Sequence, residues 1–158
     1  VNEITGMHIV GYIAKAKFIN GENIIKDVKV KNDTGALYTS IDRGLAKKLG
    51  FSDVIEQFDA LNLPRDFESI AQAQRVRDDA VLRLNNDDLV DLSIIKGGNF
   101  ITIRPKVALT VNMENNQFTT YANVSQRENM VYSALIGRKD LQKRFLVDSN
   151  KVFDRYKE

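Results

Sequence analysis

The polar and apolar positions of this chain fall mostly into the pattern of strands. Residues 7 to 19 (MHIVGYIAKAKFI) alternate with a period near two, which predicts a strand. Asn20-Gly21-Glu22-Asn23 follows, with Asn-Gly a strong hairpin signal, and residues 24 to 30 return as a second strand. Asp33-Thr34-Gly35-Ala36 interrupts the pattern, and an extended run resumes from Leu37 to Ile41. Residues 89 to 96 and 99 to 104 bracket Gly97-Gly98 as a compact hairpin. Residues 107 to 111 and 118 to 124 form a further pair around Glu114-Asn115-Asn116. An apolar run over 131 to 136 stops at Gly137, and residues 145 to 147 make a last strand before a charged tail.

Helical signals are fewer. Asp42 is placed to cap a short helix that runs through Leu49 and ends at Gly50. After Pro64, residues Phe67, Ile70, Ala71, Gln74, Ala80, Val81 and Leu84 give an imperfect helical stripe. A short helix is also expected from Arg138 to Arg144. The expectation is a mainly β chain with two or three short helices. It forms one domain over 1–158, with an insertion or extended connection at about 51–92.

Composition then narrows the chemistry. The chain has 158 residues, enough for one buried core, and its 43% hydrophobic and 28% charged residues suit a globular protein. The formal charge is +2 and no Lys or Arg run is dense, so no nucleic-acid partner is expected. No apolar run approaches the roughly 20 residues that span a bilayer, and no charged-then-apolar signal pattern opens the chain, so no membrane partner is expected. The absence of cysteine removes disulfide and thiol chemistry and fits a reducing compartment, so a cytoplasmic location is expected.

With no cysteine and one histidine, His8, neither a structural zinc site nor a His-Glu-x-x-His helix can be built. A Ser-His-Asp triad would need His8, which lies in the first strand-like run with no nucleophile motif beside it. Asp78-Asp79 and Asp87-Asp88 lack calcium-loop spacing and read as a solvated face or a helix cap. Arg75, Arg77 and Arg83 alternate with aspartates and read as surface pairs. No metal and no cofactor is expected. Carboxylates remain for acid–base work.

Asp33-Thr34-Gly35-Ala36, between two apolar strands, has a physical logic for peptide hydrolysis. A water attacking a peptide carbonyl needs a base for its proton and an acid for the carbonyl oxygen. Two carboxylates about 3 Å apart serve as both, because like charge makes them share a proton. The Thr34 hydroxyl can bond across to a partner loop, Gly35 permits a tight turn and close approach, and Ala36 keeps the substrate side open. A bare Asp-x-Gly is common in turns; the second half of the chain adds Ala134-Leu135-Ile136-Gly137-Arg138 followed by a short helix. This piece resembles the other signature of acid-protease folds, which implies that Leu135, Ile136 and Gly137 run past the loop and close the core beneath it, with Arg138 in a structural role.

In these pieces the sequence resembles the retropepsin family, which includes retroviral proteases. The pieces are the loop at 33 to 36, the Gly-Gly hairpin at 94 to 104, and Leu135-Ile136-Gly137-Arg138 with its helix. It is similar, more closely, to a prokaryotic family named for an ATP-dependent zinc protease and found beside ligases that add glutamate to a ribosomal protein. That match rests on Asn32 to Ala36, Thr39 to Asp42, Arg104-Pro105, Arg127 with Met130, and Leu135 to Arg138 through Phe145 to Asp148. The zinc in that name has no ligand set here, and no phosphate-binding loop with lysine is present.

The resemblance implies a retropepsin-like acid-protease barrel and an aspartic endopeptidase. Asp33, Thr34 and Gly35 would be catalytic, and a peptide or protein substrate would lie under a flap around Gly97, Gly98 and Asn99. Ala36, Arg104 and Arg127 would contact that substrate; either arginine could instead make a structural ion pair. One Asp-Thr-Gly per chain implies a homodimer that assembles an Asp33 dyad. The family context hints at cleavage near glutamate. Retroviral enzymes pair an aspartate just after this loop with the arginine of the Gly-Arg motif. Leu37 stands there instead, so Arg138 is expected to pair with Asp42 or Asp140. The alternative is a non-catalytic peptide-binding or assembly module on the same fold.

Overall fold

The computed structural model describes residues 6–126 and 131–152. Strand β1 (His8–Asn20) turns at Gly21-Glu22 into β2 (Asn23–Asp33), and Gly21 takes a φ of +59°, which glycine adopts without a Cβ penalty. The pair is antiparallel, with Asn20 opposite Asn23 and Ala14 opposite Val30. Between Ala16/Val28 and Phe18/Ile25 the register slips by one residue, and Asp27 in the extra position has a φ of +56°. Such a bulge bends a strand, which helps a sheet to close.

Next come the two-residue β3 (Ser40–Ile41) and three helices: α1 (Arg43–Lys48), α2 (Ser52–Ala60) and α3 (Ile70–Leu82). Strands β4 (Leu89–Lys96), β5 (Ile101–Met113) and β6 (Asn116–Val124) form an antiparallel meander. Its second turn places Glu114 and Asn115 at φ +52° and +61°, the two positive values that a tight hairpin turn of this hand requires. Strand β7 (Ala134–Gly137), α4 (Arg138–Leu141) and β8 (Phe145–Val152) complete the described elements.

The sheet order is β4-β5-β6-β3-β7-β2-β1-β8, and β1 also pairs with β5 through Lys17–Ile19. Six strands, β5-β6-β3-β7-β2-β1, therefore close into a barrel, with β4 and β8 outside it. Closure removes free edges from the ring. The barrel core includes Val10, Phe18, Val30, Ile41, Val107 and Ile136, roofed at one end by Leu45, Leu49 and Phe51. A second apolar cluster, Phe58, Phe67, Ala73, Ala80, Leu92 and Ile103, joins α2 and α3 to the β4–β5 hairpin.

The mainly β expectation holds, with four helices among the described residues rather than two or three. Asp42 caps α1 as expected, its Oδ1 accepting from Leu45 N–H at 2.7 Å. Helix α2 was not foreseen: its cap position is Phe51, which makes no side-chain cap bond, so the usual start signal is missing. Helix α3 starts at Ser69, which caps Gln72 N–H, and Phe67 lies before it in the connecting strap. The segments expected at 99–104 and 107–111 fall in one strand from Ile101, because pairing with β4 runs across Pro105 to Val107 and overlaps the pairing with β6 that begins at Lys106. The expected extended run 37–41 reduces to two strand residues. Among the described residues no helix is long and apolar enough to cross a membrane.

Candidate active site

Asp33 is the last residue of β2, and its register partner in the parallel strand β7 is Gly137. The two sequence signatures therefore lie side by side. Beyond Asp33 the chain turns sharply: Ala36 N–H donates to Asp33 O at 3.2 Å, and Gly35 N–H to Asp33 Oδ1 at 2.9 Å. A Cβ on Gly35 would lie 3.2 Å from that carboxylate oxygen, so glycine keeps the turn tight. Thr34 and Gly35 are exposed, and the Asp33 side chain is 29% exposed.

The returning loop is stitched to β7 and α4. Arg138 N–H donates to Ala36 O at 2.7 Å and Lys139 N–H to Leu37 O at 3.1 Å. Gly137 N–H donates to Thr39 Oγ1 at 3.1 Å. Buried Thr39 in turn donates to Asp140 Oδ2 at 2.5 Å, and Thr120 donates to the same oxygen at 2.6 Å. A Cβ on Gly137 would lie 2.4 Å from the carbonyl carbon of Tyr38. That is backbone against backbone, with no flexible side chain to give way, so this position needs glycine.

The expected pairing of Arg138 with Asp42 or Asp140 is corrected here. Asp42 spends its carboxylate on the α1 cap, and Asp140 accepts the two threonine hydroxyls. Arg138 is exposed and binds the loop through its backbone. Of the expected core-closing residues, Ile136 is fully buried in the barrel core, whereas Leu135 on the other face lines a cleft.

That cleft, of about 1060 Å³, lies between the Asp33 loop and the β4–β5 hairpin. Gly35, Ala36 and Tyr38 line one side; Ile95, Lys96 and Phe100 line the other. Gly97, Gly98 and Asn99 do not line it. They border a smaller hollow of about 210 Å³ against Asp66–Glu68. The hairpin tip is closed by Gly97 N–H donating to Phe100 O at 2.9 Å, and a Cβ on Gly97 would lie 2.2 Å from the Phe100 ring. Gly97 thus lets Phe100 fold under the tip and present its ring to the cleft.

Arg104 is in the cleft wall, where Nη1 donates to Asn123 Oδ1 at 3.0 Å and to Ser40 Oγ at 3.3 Å. Ser40 Oγ also donates to Asn123 Oδ1, and Asn123 Nδ2 to Thr39 O at 3.1 Å, so the arginine is tied back to the loop. Arg127, with Met130, lies outside the described residues.

Sequence reasoning missed Lys31. Its Nζ lies 3.9 Å from Asp33 Oδ2 and 5.4 Å from the centre of the Tyr12 ring. The hydrogen bond with Tyr12 raises its pKa most, partial burial opposes this, and the charges of Asp33 and Tyr132 add smaller upward pushes. The signal was available, because residues two apart on a strand share a face. Asp140 carried no comparable signal; its partners are 101 and 20 residues away. Among the described residues no three His, Cys, Asp or Glu side chains gather in a way that could hold a metal ion.

No protein-family model and no curated protein matches the chain. Among solved structures it is similar to Lpg0085, a protein of unknown function (DUF785) from Legionella pneumophila. The identity is 16%, over 92% of this chain and 96% of that one, with a TM-score of 0.48. It is also similar to the retroviral protease-like domain of Ddi1 from Leishmania major. There the identity is 14%, over 83% of this chain and 76% of that one, with a TM-score of 0.36.

Proposed function

We propose that the chain is an aspartic peptidase of the retropepsin type, on an acid-protease barrel, completed by a second copy of itself. The observation that carries this reading is the position of the Asp33-Thr34-Gly35 loop. Its Gly35, with Ala36 next to it, lines the large cleft, Asp33 and Thr34 sit at the edge of that lining, and a hairpin that carries Ile95, Lys96 and Phe100 lies on the opposite side. A peptide lying in that cleft would pass between loop and hairpin. Two Asp33 carboxylates, one from each copy, hold a water between them; one takes its proton while the other protonates the carbonyl oxygen. Thr34 is exposed, so in the proposed dimer its hydroxyl is available to bond across to the partner loop. Lys31, Lys96 and Arg104 line the cleft with one carboxylate, Asp42, and this excess of positive charge favours substrates that carry carboxylates near the cut bond.

The test is hydrolysis of a mixed peptide library from pH 3 to 8, wild type against Asp33→Asn. Removing the base should lower the rate by about 10²–10⁴-fold with the fold unchanged by circular dichroism. Hydrolysis that survives Asp33→Asn and vanishes with a chelator would overturn the reading in favour of a metal enzyme. Peptide binding without hydrolysis in either protein would establish the non-catalytic module instead.

A further inference from the structure

Asp33 is not the only charge on its face of β2. Side chains alternate along a strand, so Lys31 points the same way, and its ammonium approaches Asp33 Oδ2 to 3.9 Å. The other carboxylate oxygen, Oδ1, accepts from the neutral Gly35 N–H. Lys31 also borders the cleft. Tyr12 faces it from β1 and Tyr132 from the segment before β7, while Lys29 is the next charge on its own strand face. Among the described residues Asp33 is the carboxylate it pairs with. The Tyr12 and Asp33 contacts raise its pKa, so it stays cationic wherever a peptidase works.

A two-chain site has an electrostatic problem that a one-chain turn does not. Two carboxylates must meet at a few ångström, and two like unit charges at that distance repel strongly in a partly desolvated site. A shared proton removes the direct repulsion and leaves one negative charge to be buried between the loops. We propose that Lys31 offsets that charge: each copy carries its own cation beside Asp33, and Lys31 thereby permits the two loops to meet at neutral pH. Lys31 is in this sense a positioning residue for the carboxylate pair. The inference rests on the homodimeric peptidase reading. The pair is about a third exposed in one chain (32% and 29%), where such a bridge contributes little. Its effect belongs to the assembled dimer, where solvent is displaced.

The experiment is sedimentation velocity across a dilution series for wild type, Lys31→Met, Lys31→Arg, Asp33→Asn and the Lys31→Met/Asp33→Asn double variant. Circular dichroism checks that each is folded. At pH 7 Lys31→Met should raise the dimer dissociation constant by about tenfold, two partly desolvated pairs being lost per dimer, and Lys31→Arg should restore it. The penalty should shrink below the ordinary carboxylate range, and it should disappear in the Asp33→Asn background, where no charge needs offsetting. A Lys31→Met dimer as tight as wild type at pH 7 overturns the inference. An equal penalty with Asp33→Asn also overturns it, by assigning Lys31 a packing role against Tyr12. A wild-type chain that stays monomeric at high concentration overturns the homodimer reading itself, and this inference with it. A tight wild-type dimer indifferent to Lys31 overturns the inference alone.

Discussion

Single atoms decide whether the Asp33 loop keeps its shape. Gly137 has no room for a methyl group because the Tyr38 backbone already occupies the space. Gly137→Ala should push the 36–39 segment away from β7, cost about 1–3 kcal/mol in denaturant unfolding, and abolish hydrolysis. The neighbouring Asp140 acts through hydrogen bonds instead of contact. Asp140→Leu would leave two buried threonine hydroxyls, Thr39 and Thr120, without their acceptor. Each loses a bond and keeps its desolvation cost, so the loss should be about 2–5 kcal/mol. Asp140→Asn retains an acceptor oxygen and should recover most of it. Equal destabilisation by Leu and Asn in urea titrations would mean that charge, not acceptance, is what the loop needs there.

At the scale of elements, the connection between the barrel's first and second halves serves as a brace for the hairpin over the cleft. Helices α2 and α3 share the second apolar cluster with Leu92 and Ile103 of that hairpin. Arg77 on α3 donates Nε to Leu92 O at 3.0 Å and pairs with Asp91. The strap between the helices reaches the hairpin's other strand: Asp66 Oδ1 accepts from Ile101 N–H at 2.9 Å, and Phe67 N–H donates to Ile101 O at 2.9 Å. Asp66→Ala should therefore speed amide exchange at residues 97–101 by about tenfold, roughly the worth of one hydrogen bond, while exchange in β2 and β7 stays unchanged. Unchanged exchange at Ile101 would mean that Phe67 alone holds the tip. This brace was only half legible. Gly97-Gly98 marks the hairpin and the apolar run 89–96 before it matches β4, and Ser69 is a recognisable cap. Phe51, Val54, Ile55 and Phe58 carry a helical spacing too, but it sits behind Gly50 with no capping side chain. The strap's contacts are 35 residues apart in sequence, a pairing that no local pattern encodes.

At the scale of the whole molecule, the parallel pairing of β2 with β7 is what brings the two halves of the candidate site together. Residues 33–36 and 134–138 are about a hundred residues apart, and that pairing lies within the six-strand ring that the β1–β5 contact closes. The alternation of β1, β2 and β6 was readable because one face of each strand looks into the core. The strand order was not, because a parallel neighbour is chosen by what fills the interior and not by the strand's own pattern. The loop's composition pointed to its place and strand alternation put Lys31 beside Asp33, whereas the bonds that tie Thr39 and Thr120 to Asp140 join segments far apart in the chain.

Three other aspartates among the described residues already carry hydrogen bonds of their own. Within one chain Asp42 is committed to the α1 cap and Asp140 to Thr39 and Thr120, while Asp148 accepts from Asn150 N–H on the outer strand β8. On the reading proposed above, the second carboxylate of a shared-proton pair comes from a second chain, and this gives a test by subunit mixing. Wild-type concentration is held fixed well above the dimer dissociation constant, and Asp33→Asn chain is added in increasing amounts, the two being unfolded and refolded together. With an equal amount of variant, random pairing places half of the wild-type chains in hybrids, so activity should fall to about half; a threefold excess should leave about a quarter. The exposed Thr34 and its loop are unchanged in the variant, so hybrids should form as readily as parents. Dilution of pure wild type should lower specific activity in parallel with the dimer fraction seen by sedimentation. If activity ignores added variant and stays proportional to wild-type concentration on dilution, one chain suffices, and the catalytic partner of Asp33 must be sought within it.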